Sequence, residues 1–468
     1  MLLAFIICYL LVTLLIGWWA SRRVHSTKDF VVAGRNLPMV VAGCALFATW
    51  FGSETIMGAT SEFVEHGLIG VIEDPFGAAL CLILVGAFFA RPLYRLNILT
   101  FNDYFRIRYG RKAELISAFF MVPSYFGWIA AQLVAMAVIL GTITGLSLIQ
   151  GIAICTMVVV FYTYIGGMWA VSVTDFVQTI MIILGLGLLA YTLSSKLGGV
   201  GAVLAATPDG FFRILPKGDF HSIVHYFAAW ITIGLGSIPQ QDVFQRVMSA
   251  RSERTAVGAS YLGGLMYLTI GFVPLFISLC GRMLYPDLGE GDPQMVIPRI
   301  VLEHSTLFLQ IMVFGALLSA ILSTTAGAIL APATVIGENL IRPYFRTITD
   351  QKLLLVMRLA VVGVALASAI MAAWRQNIYQ LVGESSALSL VSLFIPLTAG
   401  LYWKRASNTG AIGSMIVGMG TWLVCELVGT EIPSLIYGGL ASLLAMIIGS
   451  LLRPDRLLEV AMAGQSDA

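Results

Sequence analysis

The chain has 468 residues, 58% of them hydrophobic and only 11% charged, with a mean hydropathy of +0.90. Soluble proteins carry roughly a quarter charged residues, so this composition excludes a soluble enzyme or binding module and predicts an all-α polytopic membrane protein embedded in a lipid bilayer. A net charge of +2 is too small to attract nucleic acid.

Apolar blocks recur from end to end, each near the roughly 20 residues needed to cross a bilayer. They predict about thirteen spans: 2–20, 39–63, 70–92, 114–143, 147–166, 169–193, 222–247, 256–281, 306–337, 353–374, 379–402, 409–428 and 432–452. The first block lacks a basic flank and a small-residue cleavage site, so it reads as a retained span rather than a signal peptide. Twenty-one of the 27 Lys and Arg residues fall in one set of alternate loops: 22–35, 91–112, 246–254, 342–358, 404–405 and 453–456. The positive-inside rule assigns that set to the cytoplasm, with the N-terminus outside and the C-terminus cytoplasmic. Two outer connections, 194–221 and 282–305, are rich in Gly, Pro and acidic residues and have room for short surface helices; a short polar tail follows Leu452. Cys8, Cys44, Cys81, Cys155, Cys280 and Cys425 lie in or beside apolar segments without metal-ligand spacing, and read as small buried hydrophobes.

In chain order, the first anomaly is Thr49-Trp50-Phe51-Gly52-Ser53-Glu54-Thr55 in span two. This helix-weak centre predicts an interruption at membrane depth. Glu54 there is a functional candidate; the alternatives are a carboxylate reaching an outer vestibule, or a protonated packing acid. Trp50 sits inside the break, where a flat π-face can stack on a solute or accept a cation. Trp128 and Trp230 are aromatics near these polar positions, whereas Trp18, Trp19, Trp374 and Trp403 lie at span ends and read as interfacial. Glu73, Asp74 and Glu384 are expected near outer span ends. Asp175 is expected to open span six from the cytoplasmic side, either favoured by the helix dipole or on a cation pathway.

The run Gly234-Leu-Gly-Ser-Ile-Pro-Gln-Gln-Asp-Val-Phe-Gln-Arg246 ends span seven. Lipid tolerates such a stretch only where protein or water surrounds it, so it is the second candidate break. Asp242 is expected to pair with Arg246 at i+4. Two interrupted helices, each opening a five-helix block, point to an inverted-repeat transporter with its site near the midplane. In span nine, Ser323-Thr324-Thr325 either bond back to their own helix or hold sodium. A hard cation takes neutral oxygens, and hydroxyls plus carbonyls freed by a broken helix supply them without burying a formal charge. A channel or an enzyme lacks support: there is no pore-loop repeat, nucleophile constellation or metal cluster, and His25, His66, His221, His225 and His304 lie mainly at loop or span ends.

Several motifs stand in order: Phe30-Val-Val-Ala-Gly-Arg35, Thr100-Phe-Asn-Asp103-Tyr-Phe-Arg-Ile-Arg-Tyr-Gly110, Tyr164-Ile-Gly-Gly-Met-Trp-Ala-Val-Ser-Val-Thr-Asp175, Ile238-Pro-Gln-Gln-Asp-Val-Phe-Gln-Arg246 and Gly400-Leu-Tyr-Trp-Lys-Arg405. With them the chain resembles the sodium:solute symporter family over essentially its whole length. The resemblance implies a LeuT-type core of two inverted five-helix repeats with peripheral helices. It divides the chain into a first peripheral helix and loop (1–38), repeat one (39–193), an extracellular loop (194–221), repeat two (222–402), two C-terminal helices (403–452) and a cytoplasmic tail (453–468). It also implies a sodium (Na+) site with carbonyl ligands at Ala48, Phe51 and Ala320 and hydroxyl ligands at Ser323 and Thr324, with Asp175 on the cation pathway. The expected function is sodium-coupled uptake of a small polar organic solute across the plasma membrane (the inner membrane in a Gram-negative bacterium). A solute sensor is the alternative. The solute site is expected at Trp50, Ser53, Glu54, Gln240 and Gln241. The closest motifs are those of the choline-transporter branch, whose aromatic cage uses the Trp50 position. Gln240 and Ala78 stand where that branch has further aromatic walls, which favours a small polar or zwitterionic solute (amino acid, betaine-like compound, sugar or carboxylate) over choline.

Overall fold

The computed structural model describes residues 2–22, 24, 26–286, 292–345 and 348–455. Arg23, His25, Arg346, Arg456 and residues 457–468 of the expected tail lie outside them. Among the described residues the chain is helical, and extended pairing is confined to an isolated bridge between Leu37 and Ala250.

Among those residues, nine helices are long and apolar enough to cross a membrane, and a tenth crossing is the bent pair Phe220–Gly236 and Gln241–Ser249, which turns by 48°. The count is lower than thirteen because Leu2–Ser21 is not among these helices and the apolar helices Met39–Trp50 and Leu148–Tyr164 are shorter than a full crossing. Span two stops at Trp50, since Phe51 (φ −73, ψ 68) leaves the helical region. Its second half continues through Gly67 into span three, so Glu54–Arg95 counts as one stretch. Spans five and six form a single 49-residue assignment, Leu148–Lys196, turned at Gly167 (φ 56, ψ −165). The first span is the 20-residue apolar helix Leu2–Ser21.

Helix starts follow from side-chain caps that satisfy otherwise orphaned amides. Thr100 with Asp103 and Ser147 with Gln150 form reciprocal capping boxes. Asp219, Ser252, Thr306, Thr349, Asn377 and Ser407 cap the helices that follow them. The connections 194–221 and 282–305 do carry short helices, Val200–Ala205 and Val296–His304.

Span nine is central: 72% of its apolar window is buried, against 22% for each of the last two helices, Asn408–Val428 and Ser434–Leu452. Those two expose apolar side chains such as Leu427 and Leu452, a surface made for acyl chains. They join through small residues rather than through hydrophobic bulk, as membrane helices do. Gly410 lies against Ser450, the Ser414 and Ser442 hydroxyls are 2.7 Å apart, and Gly418 abuts Ser442. A leucine at Gly418 is therefore expected to separate this hairpin and lower the melting temperature in detergent, with sodium activation of uptake retained.

The basic loops gather on one face. Leu37 N donates to Ser249 O (2.9 Å) and Arg251 N to Leu37 O (3.0 Å). Arg95 pairs with Glu253 (2.9 Å) and the Thr27 hydroxyl donates to Asp350 (2.7 Å). Arg108 bonds the Gly400 and Ala406 carbonyls (3.0 and 2.9 Å), and Arg111 the Asn339 carbonyl (3.0 Å).

Candidate functional site

Span two breaks because the Gly52 and Ser53 amides leave the helical ladder, whereas the Phe51 amide still bonds the Phe47 carbonyl (3.2 Å). Gly52 N turns to Trp50 O (2.7 Å), and Ser53 N to the Gln132 Oε1 of span four (3.1 Å). The Ala48 carbonyl thereby loses its helical partner, and the Thr324 hydroxyl donates to it at 2.9 Å. Gly52 is required by close approach: a Cβ there would lie 2.8 Å from Gln132 Oε1 and 3.2 Å from Thr324 Oγ1. Of the residues expected around sodium, Ala48 and Thr324 meet directly. Ala320 lies one turn before Thr324 on the same buried helix, and Phe51 ends the first half of span two, its ring stacked on Phe47 with centroids 4.6 Å apart.

Ser323, about 100° around the same helix from Thr324, donates to the carboxylate of Asp175. Asp175 does not open a span from the cytoplasm. It lies eight residues past the Gly167 turn, about 12 Å along a helix rising 1.5 Å per residue, and is fully buried. Nor does Arg246 pair with the Asp242 side chain. Both residues lie on the helix Gln241–Ser249, and the guanidinium goes to the Asp242 backbone carbonyl (3.3 Å) and the Ala45 carbonyl (3.1 Å), and approaches Asp175 at 3.8 Å. A Cβ at Gly327 would collide with this guanidinium. Arg246, Asp175 and Ser323 thus form one buried chain of contacts ending at the candidate sodium position.

The Asp242 carboxylate instead accepts from the Trp50 indole (3.1 Å) and the Tyr125 hydroxyl (2.6 Å), tying the two broken helices to span four. Truncating it leaves two buried donors unmet. Asp242→Ala is expected to raise the solute concentration for half-maximal uptake several-fold, with the sodium dependence unchanged; a full solute titration of uptake checks this.

Above this layer lies a small enclosed cavity lined by Trp50, Glu54, Asp74, Ala78, Trp128 and Gln240, among others. The space open to the centre of a water molecule is about 10 Å³, roughly one water's worth, so a solute requires the walls to part. Glu54 is buried and accepts from Trp128 Nε1 (3.0 Å), Gln132 Nε2 (2.6 Å) and the Ser53 hydroxyl (3.4 Å). Asp74, expected at an outer end, reaches the cavity and accepts from Thr55 (2.6 Å). Trp50, Glu54 and Gln240 line this cavity together, with Ser53 bonded behind Glu54. Gln241 points away: its amide accepts from Phe101 N (2.6 Å) and donates to Leu99 O (3.4 Å), at the start of a basic-face helix. Glu384 is held outside by Arg375. Sequence reasoning passed over Gln132 and Tyr125; their one signal was polarity within the apolar run of span four.

Two helices broken face to face, each opening its own block and meeting at a buried polar cavity, define an inverted-repeat membrane transporter. The sequence model of the Sodium:solute symporter family matches residues 30–418, and the chain belongs to that family. It is a sodium-coupled solute symporter, not an enzyme. Curated relatives include the high-affinity choline transporter 1 of Caenorhabditis elegans, 27% identical with 91% of this chain and 77% of that one covered. The high-affinity proline transporter PutP of Bacillus subtilis (strain 168) is 29% identical, covering 94% and 95%. Among solved structures, a Na+-coupled sialic acid symporter in a substrate-bound outward-open state matches with a TM-score of 0.84 at 19% identity, covering 98% of each chain. Mhp1, a nucleobase-cation-symport-1 family transporter in a closed conformation, matches at 0.61 with 16% identity, covering 92% and 95%. At these identities the structures establish the LeuT-type fold alone.

Proposed function

We propose that this symporter imports a compact organic solute by alternating access between two repeats, 39–193 and 222–402, flanked by peripheral helices at 1–38 and 403–452. The observation that carries the reading is the span-two break. One short stretch offers the freed Ala48 carbonyl to Thr324 on one side and Trp50 and Glu54 to the cavity on the other. Sodium bound by Ala48, Phe51, Ala320, Ser323 and Thr324 orders that stretch, and an ordered stretch presents a formed solute wall. The coupling is reciprocal and of the usual 1–3 kcal/mol scale. Asp175, held by Arg246, receives the ion's charge on the way to the basic face.

The solute contacts are Trp50, Ser53, Glu54 and Gln240, with Trp128 and Asp74 added; Gln241 serves to lock the basic face. The basic face is cytoplasmic, which places the N-terminus outside in the plasma membrane. Choline and proline, the solutes named for the relatives, are both compact molecules bearing a charged nitrogen. The test is uptake into proteoliposomes under an inward sodium gradient: accumulation that collapses when sodium is equalised supports symport. Sodium-stimulated binding without counterflow would instead identify a sensor.

A further inference from the structure

We infer that the solute is an organic cation whose nitrogen carries N–H groups, a primary or secondary ammonium, held between Glu54 and Asp74. This rests on the cavity being the solute site and adds a chemical class to it.

Glu54 and Asp74 are both buried, at 2% and 1% exposure, and both line the cavity. Among the described residues, no Lys, Arg or His shares its walls. The nearby fixed cation, Arg246, lies one layer below and is spent on Asp175 and on the Ala45 and Asp242 carbonyls. Every donor to Glu54 is neutral: an indole, an amide and a hydroxyl. Asp74 receives one neutral donor at Oδ2, from Thr55, while its Oδ1 is buried with no hydrogen-bond partner. A buried carboxyl group is neutralised either by a proton or by a compensating cation, and an acceptor without a donor requires an N–H or O–H. A protonated amine supplies both at once.

Other solute classes fit worse. An anion meets two carboxylates and no cation. A neutral sugar leaves the charge uncompensated. Among the described residues no three His, Cys, Asp or Glu side chains gather to hold a metal ion. A quaternary ammonium supplies charge but no N–H, and it seeks a complete aromatic cage. Here Trp50 and Trp128 provide two walls, and Ala78 and Gln240 interrupt the rest. Both indoles donate their N–H to carboxylates, Asp242 and Glu54, which fixes the rings and enriches their faces for a nearby cation. Ser237 and Ser386, with hydroxyls 3.1 Å apart, and Gln240 give the far wall neutral partners for a hydroxyl or second amine on the solute.

The test uses the purified full chain in detergent and in proteoliposomes, with ethanolamine, 1,4-diaminobutane, choline, L-proline and glucose as probes, each with and without sodium. The expected result is sodium-dependent stabilisation and uptake of ethanolamine or 1,4-diaminobutane at concentrations at least ten-fold below those needed for the other three. Glu54→Gln and Asp74→Asn should each lose at least ten-fold in amine affinity while sodium alone still stabilises both variants, which also reports that they fold. Tighter binding of choline, proline or glucose overturns the inference. So does amine binding unchanged in both variants, or sodium stabilisation with no response to either amine. Those outcomes leave symport intact. Loss of any sodium effect in the unmodified chain would instead strike the symport reading itself.

Discussion

Replacing Thr324 with alanine is expected to raise the sodium concentration for half-maximal uptake at least about ten-fold, a loss of about 1.4 kcal/mol. The substitution removes one hydroxyl from the proposed oxygen set and the 2.9 Å link that holds the freed Ala48 carbonyl. A monovalent cation with few ligands is sensitive to losing any one of them, since nothing in an apolar span can replace it. Solute affinity must fall with sodium affinity, because the coupling acts in both directions. Thr324→Ser, which keeps the hydroxyl, should stay within about three-fold of the parent. Ser323→Ala should act more broadly, since its hydroxyl is also the donor to Asp175: sodium activation weakens and the Asp175 carboxylate loses a partner. Unaltered sodium titrations in both alanine variants would sink the site assignment.

The second large effect is on stability. Arg246 is fully buried beside Asp175, with Nη2 making no hydrogen bond and lying 3.8 Å from the carboxylate. Arg246→Met leaves Asp175 as an isolated charge and frees the Ala45 and Asp242 carbonyls. Breaking a buried pair by removing one partner costs about 3–5 kcal/mol, so a large drop in melting temperature in detergent is expected. Removing both charges should cost much less than the sum of the single changes. Arg246→Met combined with Asp175→Asn is therefore expected to melt well above Arg246→Met alone. If the double variant is no better than the single one, the pair is not coupled.

The two breaks were legible in the sequence because Gly52, Ser53, Pro239 and Gln240 are residues that lipid-exposed helix does not accommodate. The Thr324 hydroxyl was legible for the same reason, once a broken helix was placed opposite it. Asp242 was misplaced by the i,i+4 rule, which holds for side chains on a free surface: both residues share the helix Gln241–Ser249 but are fully buried, so neighbouring helices compete for them. Asp242 turns instead toward Trp50, and Arg246 crosses to Asp175. Asp74 was misplaced for another reason. Counting residues along a straight span puts it at an outer edge, but the turn at Gly67 and the extended backbone of Asp74 itself (φ −144, ψ 122) fold it inward. Gln132 and Tyr125 sit in a long continuous helix, Arg111–Thr144. Which face of that helix meets the breaks is a property of packing, and no local pattern encodes it.

The joined basic loops have a kinetic consequence. The bridge at Leu37 and Ala250 clasps the chain before span two to the chain after span seven, and the Arg95–Glu253 pair and the Tyr94 hydroxyl on the Ala250 carbonyl (2.9 Å) clasp the end of span three to the same place. With the basic face cytoplasmic, as proposed, inward opening has to separate these contacts together. Each is weak alone, the exposed Arg95–Glu253 pair most of all because solvent screens it, yet a concerted release makes them add. Substitutions that loosen this clasp, such as Glu253→Ala, are therefore expected to change the turnover rate more than the solute or sodium concentration for half-maximal uptake.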